Sequence, residues 1–232
     1  MTNCGALTLV IRVIWQALTG GYGMRSKFRV SRREALGAIG LVGAAVSIGA
    51  AGRAAAPEPA VDVEGGLRPS LLRAARESAA ALGFDPKARM VVVDFKWHSS
   101  KPRLFIVAPE TGAVKSMLCA HGIGSDKAHS GYATQFSNVP NSGASSIGAY
   151  RVIGEGYGPK HGPNLLLEGL TPTNDKAKAR EIIVHAAWYA EPDFVMAQEK
   201  MGRSNGCFVT SEKDRDTLFE MLSPGTLLYA GV

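Results

Sequence analysis

The segment Gly202-Arg203-Ser204-Asn205-Gly206-Cys207 presents a cysteine directly after a glycine, and upstream the apolar run Ile182-Ile183-Val184 ends on His185. A free thiol has a pKa of about 8.5, so little of it is ionised at neutral pH unless a neighbour takes the proton. An imidazole can take that proton and later return it to a leaving amine. Cys207 is therefore a candidate nucleophile toward a carbonyl carbon, and His185 its candidate base and acid. The competing reading of His185 is a core histidine satisfied by a backbone carbonyl, which sequence context leaves open.

The other histidines, His98, His121, His129 and His161, form no i, i+4 pair and no familiar ligand spacing. No metal or other cofactor is expected. Of the three cysteines, Cys4 lies near the start of the chain and Cys119 sits in the strand-like run Val114-Lys115-Ser116-Met117-Leu118-Cys119-Ala120. There Cys119 reads as a small buried hydrophobe. A disulfide between Cys119 and Cys207 would silence the nucleophile.

The elements that must hold these groups begin well into the chain. Arg25, Lys27, Arg29, Arg32 and Arg33 precede an uncharged run over 35–51 rich in Ala, Gly, Leu, Ile and Val, and small residues follow at Ala54, Ala55 and Ala56. This basic, apolar, small order is that of a secretory signal, and Ser31-Arg32-Arg33-Glu34-Ala35-Leu36 has a twin-arginine character. The competing reading is a membrane anchor, but the run is short and weakly apolar for a span. Residues 1–56 are thus expected to be a leader, 57–67 a linker, and 68–232 a single catalytic domain with an N-terminal helix. A signal beginning at Met24 would be complete, so translation is expected to start there. The expected destination is the periplasm or cell envelope, with no stable membrane partner after cleavage.

The net charge of +6 belongs wholly to that leader. Residues 1–56 carry seven Lys or Arg and one acid, whereas 57–232 carry nineteen of each. The remainder has no general electrostatic attraction for nucleic acid, which removes that class of partner.

Within 68–232, Leu71, Leu72, Ala75, Ala79 and Leu82 recur at helical spacing before Gly83, predicting a first helix that props or covers the domain. Short β-rich segments follow at 90–95, 104–108, 113–120, 148–154, 165–168, 181–185 and 226–229, with Pro109-Glu110-Thr111-Gly112 as a hairpin turn. Their spacing predicts a mainly β fold: an antiparallel sheet, sandwich or barrel. Helices are predicted at 192–201 and, from the Ser211-Glu212-Lys213-Asp214 capping box, to about 222. Cys207 then falls in a loop or short strand between a helix stop and a helix start. The stretch 125–162 is loop-rich, dense in small and polar residues, and a candidate binding surface.

The ordered series VAPETGAV, AHG, GYATQFSNVPNSGASSIGAYRVIGEGYGPKHG, LLLEGL, IIVHAAW and GRSNGCF resembles the murein L,D-transpeptidase (YkuD-like) catalytic domain, in its branch with a long central segment. The resemblance covers roughly residues 90–231. It implies a curved sheet or sandwich with a few short peripheral helices, and acyl transfer on peptidoglycan stem peptides through a thioester. Carried over by position, Cys207 is the nucleophile, His185 the general base and acid, Gly206 part of the oxyanion turn, and Ser204 the residue that orients it. Arg203, Asn205, Tyr150 and His161 are candidate substrate contacts. The same thioester resolved by water would make an L,D-carboxypeptidase or endopeptidase, and loss of activity would leave a cell-wall-binding protein. The chain departs from the family pattern at Ala186, where glycine is usual, and at Asn205 and Phe208, which are expected to line the thiol. If position 186 needs positive φ, alanine there is strained.

Overall fold

The computed structural model describes residues 66–232; the expected leader, the expected Met24 start, Cys4 and nearly all of the expected 57–67 linker lie outside the described residues. Eight strands form one sheet: β1 (Met90–Asp94), β2 (Leu104–Ala108), β3 (Ala113–Met117), β4 (Gly148–Gly158), β5 (Gly162–Gly169), β6 (Ile183–Ala186), β7 (Phe208–Thr210) and β8 (Leu227–Gly231). Their spatial order is β3-β2-β1-β8-β4-β5-β6-β7. The fold is mainly β, as expected, but the sheet is mixed. β1 runs parallel to β8 and β6 parallel to β7, while the other five pairings are antiparallel. Spacing along the chain could not reveal the two parallel pairs, because each joins strands with other elements between them.

Alternation along the strands builds a separate core on each face. Val91, Val93, Leu104, Ile106, Tyr150, Val152, Leu165, Leu167, Val184, Phe208 and Leu228 face one way, covered by Leu218 and Leu222 of α3 (Glu212–Met221) and its C-terminal end. Met90, Val92, Phe105, Val107 and Leu227 face the other way, under Leu71, Leu72, Ala75 and Ala79 of α1 (Pro69–Ala81). Burying each α1 leucine contributes about 2 kcal/mol. The start of α1 is tied down by Arg68, whose Nε and Nη2 donate to the two Asp94 carboxylate oxygens at 2.7 and 2.8 Å.

The predicted helices hold, with one trimmed. Ser211 Oγ accepts from the Asp214 N–H at 3.1 Å, the expected capping contact at the start of α3. The 192–201 helix ends early as α2 (Pro192–Gln198), because Glu199 turns into the left-handed region at φ 57. Strand β4 runs past its expected end to Gly158 and makes a long hairpin with β5, bulged between Val152 and Gly154.

The sheet curls so that the chain leaving β3 meets the far edge. Ala120 forms an antiparallel bridge to Val209 of β7, and Gly122 a parallel bridge to Ser204. The irregular stretch 118–147 therefore caps the β7 edge, which would otherwise present unpaired backbone groups. Among the described residues no helix is long and apolar enough to cross a membrane.

Candidate active site

The parallel register of β6 and β7 pairs Val184 with Phe208 and His185 with Val209. Continued one residue back, it sets Cys207 beside Ile183. Side chains two apart on a strand share a face, so Cys207 and His185 project from the same side, diagonally offset with Cα atoms about 8 Å apart from strand spacing and rise. Phe208 and Val184 point to the opposite side. Phe208 is fully buried there, stacked on Phe95 at 6.0 Å between ring centroids and edge-on to Tyr150 at 5.3 Å. The expectation that Phe208 lines the thiol is thereby corrected: strand alternation sends it into the core.

His185 is buried, and its Nδ1 lies 3.0 Å from the Ala186 carbonyl. Nδ1–H donates to that oxygen, which leaves the lone pair of the neutral ring on Nε2. Burial, with His161 and Lys160 adding like charge, pulls the His185 pKa down to about 4. The ring is thus a neutral acceptor at physiological pH. Ala186 is absent from the positive-φ residues, so this strand position accepts alanine without backbone strain.

Cys207 is nearly buried, among Ala120, Ala190, Val195, Met201 and Val209. Its Sγ lies 3.5 Å from the Glu181 carbonyl, to which the thiol donates. Burial raises its pKa, opposed by the N–H groups of Ile183 and of Cys207 itself and by the charge of Arg180. The resting pair is a neutral thiol and a neutral imidazole with no hydrogen bond between them. Cys119 is a second free thiol, on the other core face, bonded to the Ala120 carbonyl and pushed by burial to about 12.

Ser204 shapes the turn. Its Oγ accepts from the Gly206 N–H at 3.1 Å and donates to the Cys207 carbonyl at 2.8 Å. The Gly206 N–H is thereby committed to Ser204, so the N–H directed at the sulfur from within this turn is that of Cys207. Gly206 itself has φ +118, and an added Cβ would lie 2.6 Å from the Ala144 oxygen. Only glycine fits there. Tyr189 forms a wall: a Cβ on Gly202 would meet its Cβ at 2.5 Å, and burial, reinforced by Cys207, raises its phenol to about 12.

The remaining sequence candidates separate. His161, half-buried at the tip of the β4–β5 hairpin, packs its ring against that of His185, centroids 4.1 Å apart and planes tilted by 43°. Asn205 is exposed on the turn. Arg203 donates to the Asp126 and Lys127 carbonyls, pinning the turn to the 118–147 stretch. Tyr150 lies in the core with no exposed surface, its hydroxyl 2.6 Å from Ser146 Oγ and donating to the Ser146 carbonyl at 2.9 Å. This placement corrects the expectation of a substrate-facing ring.

Several groups escaped sequence reading. Asn164 sits directly across from His185 on β5, and its buried Oδ1 has no hydrogen-bond partner among the described residues. Beneath the turn, the fully buried Arg103 donates through Nη2 to His121 Nδ1 at 2.7 Å, and His121 Nε2–H faces Asp126 Oδ2 at 3.3 Å. His121 in turn receives the Ser204 N–H on its carbonyl at 2.9 Å. Burial, then the Arg103 charge, lowers the His121 pKa to about 4. Arg180 bonds the 137–146 loop. It closes a run of Lys176, Lys178 and Arg180, which from sequence reads only as a charged turn. Among the described residues no three His, Cys, Asp or Glu side chains gather closely enough to hold a metal ion.

Residues 67–230 match the family described as the L,D-transpeptidase catalytic domain. A comparison with curated proteins finds no match. Among solved structures, an L,D-transpeptidase from Mycobacterium smegmatis is similar at 14% identity, covering 62% of this chain and 58% of that one with a TM-score of 0.38. One from Stackebrandtia nassauensis is similar at 17% identity over 63% and 56%, TM-score 0.38. One from Mycobacterium tuberculosis H37Rv is similar at 14% over 62% and 58%, TM-score 0.38. The chain thus spans less than two thirds of each of these structures.

Proposed function

The chain belongs to the L,D-transpeptidase catalytic-domain family, and we propose from that membership that it is an exported cysteine acyltransferase acting on peptidoglycan stem peptides. The observation that carries the reading is the β6–β7 register, which sets a neutral, Nδ1-anchored His185 on the same sheet face as Cys207. His185 Nε2 takes the thiol proton as the sulfur attacks the carbonyl carbon of an L-centre. The resulting oxyanion is met by the Cys207 N–H, a kind of contact typically worth about 3 kcal/mol in the transition state. Collapse breaks the C–N bond, His185 returns the proton to the departing D-amino acid nitrogen, and a thioester remains. An amine of a second stem peptide attacks it, and the thiol is regenerated. Ser204 orients the turn, and Asn205 and His161 flank the approach to the sulfur. Because an apo pair need not touch, the missing contact between His185 and Cys207 fits an acceptor engaged when substrate displaces the thiol from the Glu181 carbonyl.

The expected leader over 1–56, with its basic, apolar, small order from Arg25 onward, supports placing this enzyme in the cell envelope. Fractionation of cells making the full chain checks that placement, and recovery in the cytosol alone would sink it. The chemistry is tested by incubating the protein and a Cys207→Ala variant with tetrapeptide muropeptides. Released D-alanine with a cross-linked dimer supports transfer to an amine. Release without dimer makes water the acceptor, and no Cys207-dependent product leaves a wall-binding protein.

A further inference from the structure

Arg180 sits at the end of the turn that leads into β6, and its side chain runs back beneath the nucleophile turn. A Cβ built on Gly206 would lie 3.1 Å from Arg180 Nη2, one residue from Cys207. The guanidinium is held by four contacts: Nη1 donates to the Ser137 carbonyl at 2.7 Å and to Ser146 Oγ at 3.4 Å, and Nη2 to the Ala144 carbonyl at 2.5 Å and to Ser142 Oγ at 3.3 Å. Every one of these acceptors is neutral. The described ion pairs leave Arg180 without a carboxylate partner.

A partly buried cation loses hydration, and neutral oxygens return only part of it. Among the described residues, the side chains able to become anionic whose charge bears on Arg180 are Tyr150 and Cys207. Tyr150 is held near 12 by burial and stays neutral, which leaves the sulfur. Around that sulfur the other titratable groups are unsuited to the task. Tyr189 is neutral, His185 is neutral on the shared face, and the exposed Glu181 carboxylate opposes a negative sulfur.

We propose that Arg180 is a positioning residue with two coupled tasks: it locks the 137–146 loop against the Gly206 turn, and its unpaired charge stabilises the anionic Cys207 sulfur. The inference rests on Cys207 being the nucleophile, and it explains why a cation is spent on neutral partners. It also divides labour at the site, with His185 moving the proton and Arg180 holding the charge left behind.

The test is the pH dependence of Cys207 alkylation by iodoacetamide, a neutral probe that needs no peptidoglycan, with Cys119 separated by peptide mapping. Arg180→Gln removes the charge, and the Cys207 titration is expected to move up by about one unit, lowering the rate at pH 7 roughly tenfold. Arg180→Lys keeps a charge while losing the planar fork, and is expected to recover most of that shift. Glu181→Gln, at an exposed side chain, is expected to move the titration the other way. Near-UV circular dichroism checks the fold of each variant. Should Arg180→Gln lose its native spectrum, the Arg180→Lys and Glu181→Gln titrations carry the decision. Coincident titrations of wild type and Arg180→Gln, equal shifts in Arg180→Lys and Arg180→Gln, or an unmoved Glu181→Gln titration would overturn the proposal. Failure of muropeptide turnover with these shifts intact would instead remove the proposed reaction and leave the thiolate device standing.

Discussion

The sheet contains two parallel pairings that look alike in sequence and differ in use. At the centre, Met90-Val91-Val92-Val93 of β1 lies beside Leu227-Leu228 of β8, with every β1 residue buried and a core on both faces. Near the edge, Ile183-Val184-His185 of β6 lies beside Phe208-Val209 of β7, with one face in the core and the other carrying His185 and Cys207. Central parallel strands are apolar on both sides because both sides are covered. At the edge, the cover is the short α2, through Val195, with the turns carrying Ala120, Ala190 and Met201, so Cys207 and His185 sit on rigid strand backbone beneath a thin layer of chain.

The two faces of the edge pair should therefore fail in different ways. The largest effect is expected from Cys207→Ala, which should lower any Cys207-dependent turnover by on the order of 10⁴-fold or more while shifting the unfolding midpoint little. Phe208→Ala, one residue away on the opposite face, should cost about 3–5 kcal/mol in urea unfolding, as its ring fills the space between Phe95 and Tyr150. A Phe208→Ala protein of unchanged stability would break the two-faced picture.

Acid should act on the site face through His185 and on the buried network beneath the nucleophile turn through His121. His121 and His185 have folded pKa values near 4 against 6.5 for the ordinary side chain, so the unfolded chain binds more protons between these limits. Stability should therefore be level above about pH 6.5, fall by a few kcal/mol toward pH 4, and flatten below as far as these two groups are concerned. Thermal melts across that range check the sign, and a His185→Gln variant should show a shallower fall. The smallest expected effect is Ser204→Ala: with the Gly206 N–H and Cys207 carbonyl unclamped, it should cost about 1 kcal/mol and slow turnover about tenfold. A Ser204→Ala protein that keeps full activity would show that Arg203 and the His121 carbonyl hold the turn by themselves.

Much of the fold was legible wherever its cause is local. The α1 stripe, the Ser211 cap, the Pro109 to Gly112 turn and most strands follow from periodicity and turn chemistry within a few residues. Cys207 and His185 stood out by type, and the structure brings both to one sheet face; their roles are the proposal made above. Arg180 was hidden because a charged residue after Lys176 and Lys178 looks like any solvated turn, and only the fold sets it under Gly206. Tyr150 and Phe208 were misplaced for a related reason. An aromatic near a motif carries no sign of which way its strand faces until a neighbouring strand fixes the register. The feared strain at Ala186 vanished because the position is ordinary strand.

What the amino-acid sequence alone determined is the set of local choices: a basic stretch over 1–56 that accounts for the net charge, a helix and a run of β segments, a cysteine after a glycine, and a histidine at the end of an apolar run. Hydrophobic period, capping and turn geometry act over a few residues, so they can be read in one dimension. The tertiary structure decided that β6 pairs parallel with β7, that Cys207 and His185 share a face while Phe208 turns inward, and that Arg180 lies against the Gly206 turn, bonded to neutral oxygens of the 137–146 loop. Each of these depends on register between segments distant in the chain, which is set by packing both sheet faces at once and is written in no single stretch of residues.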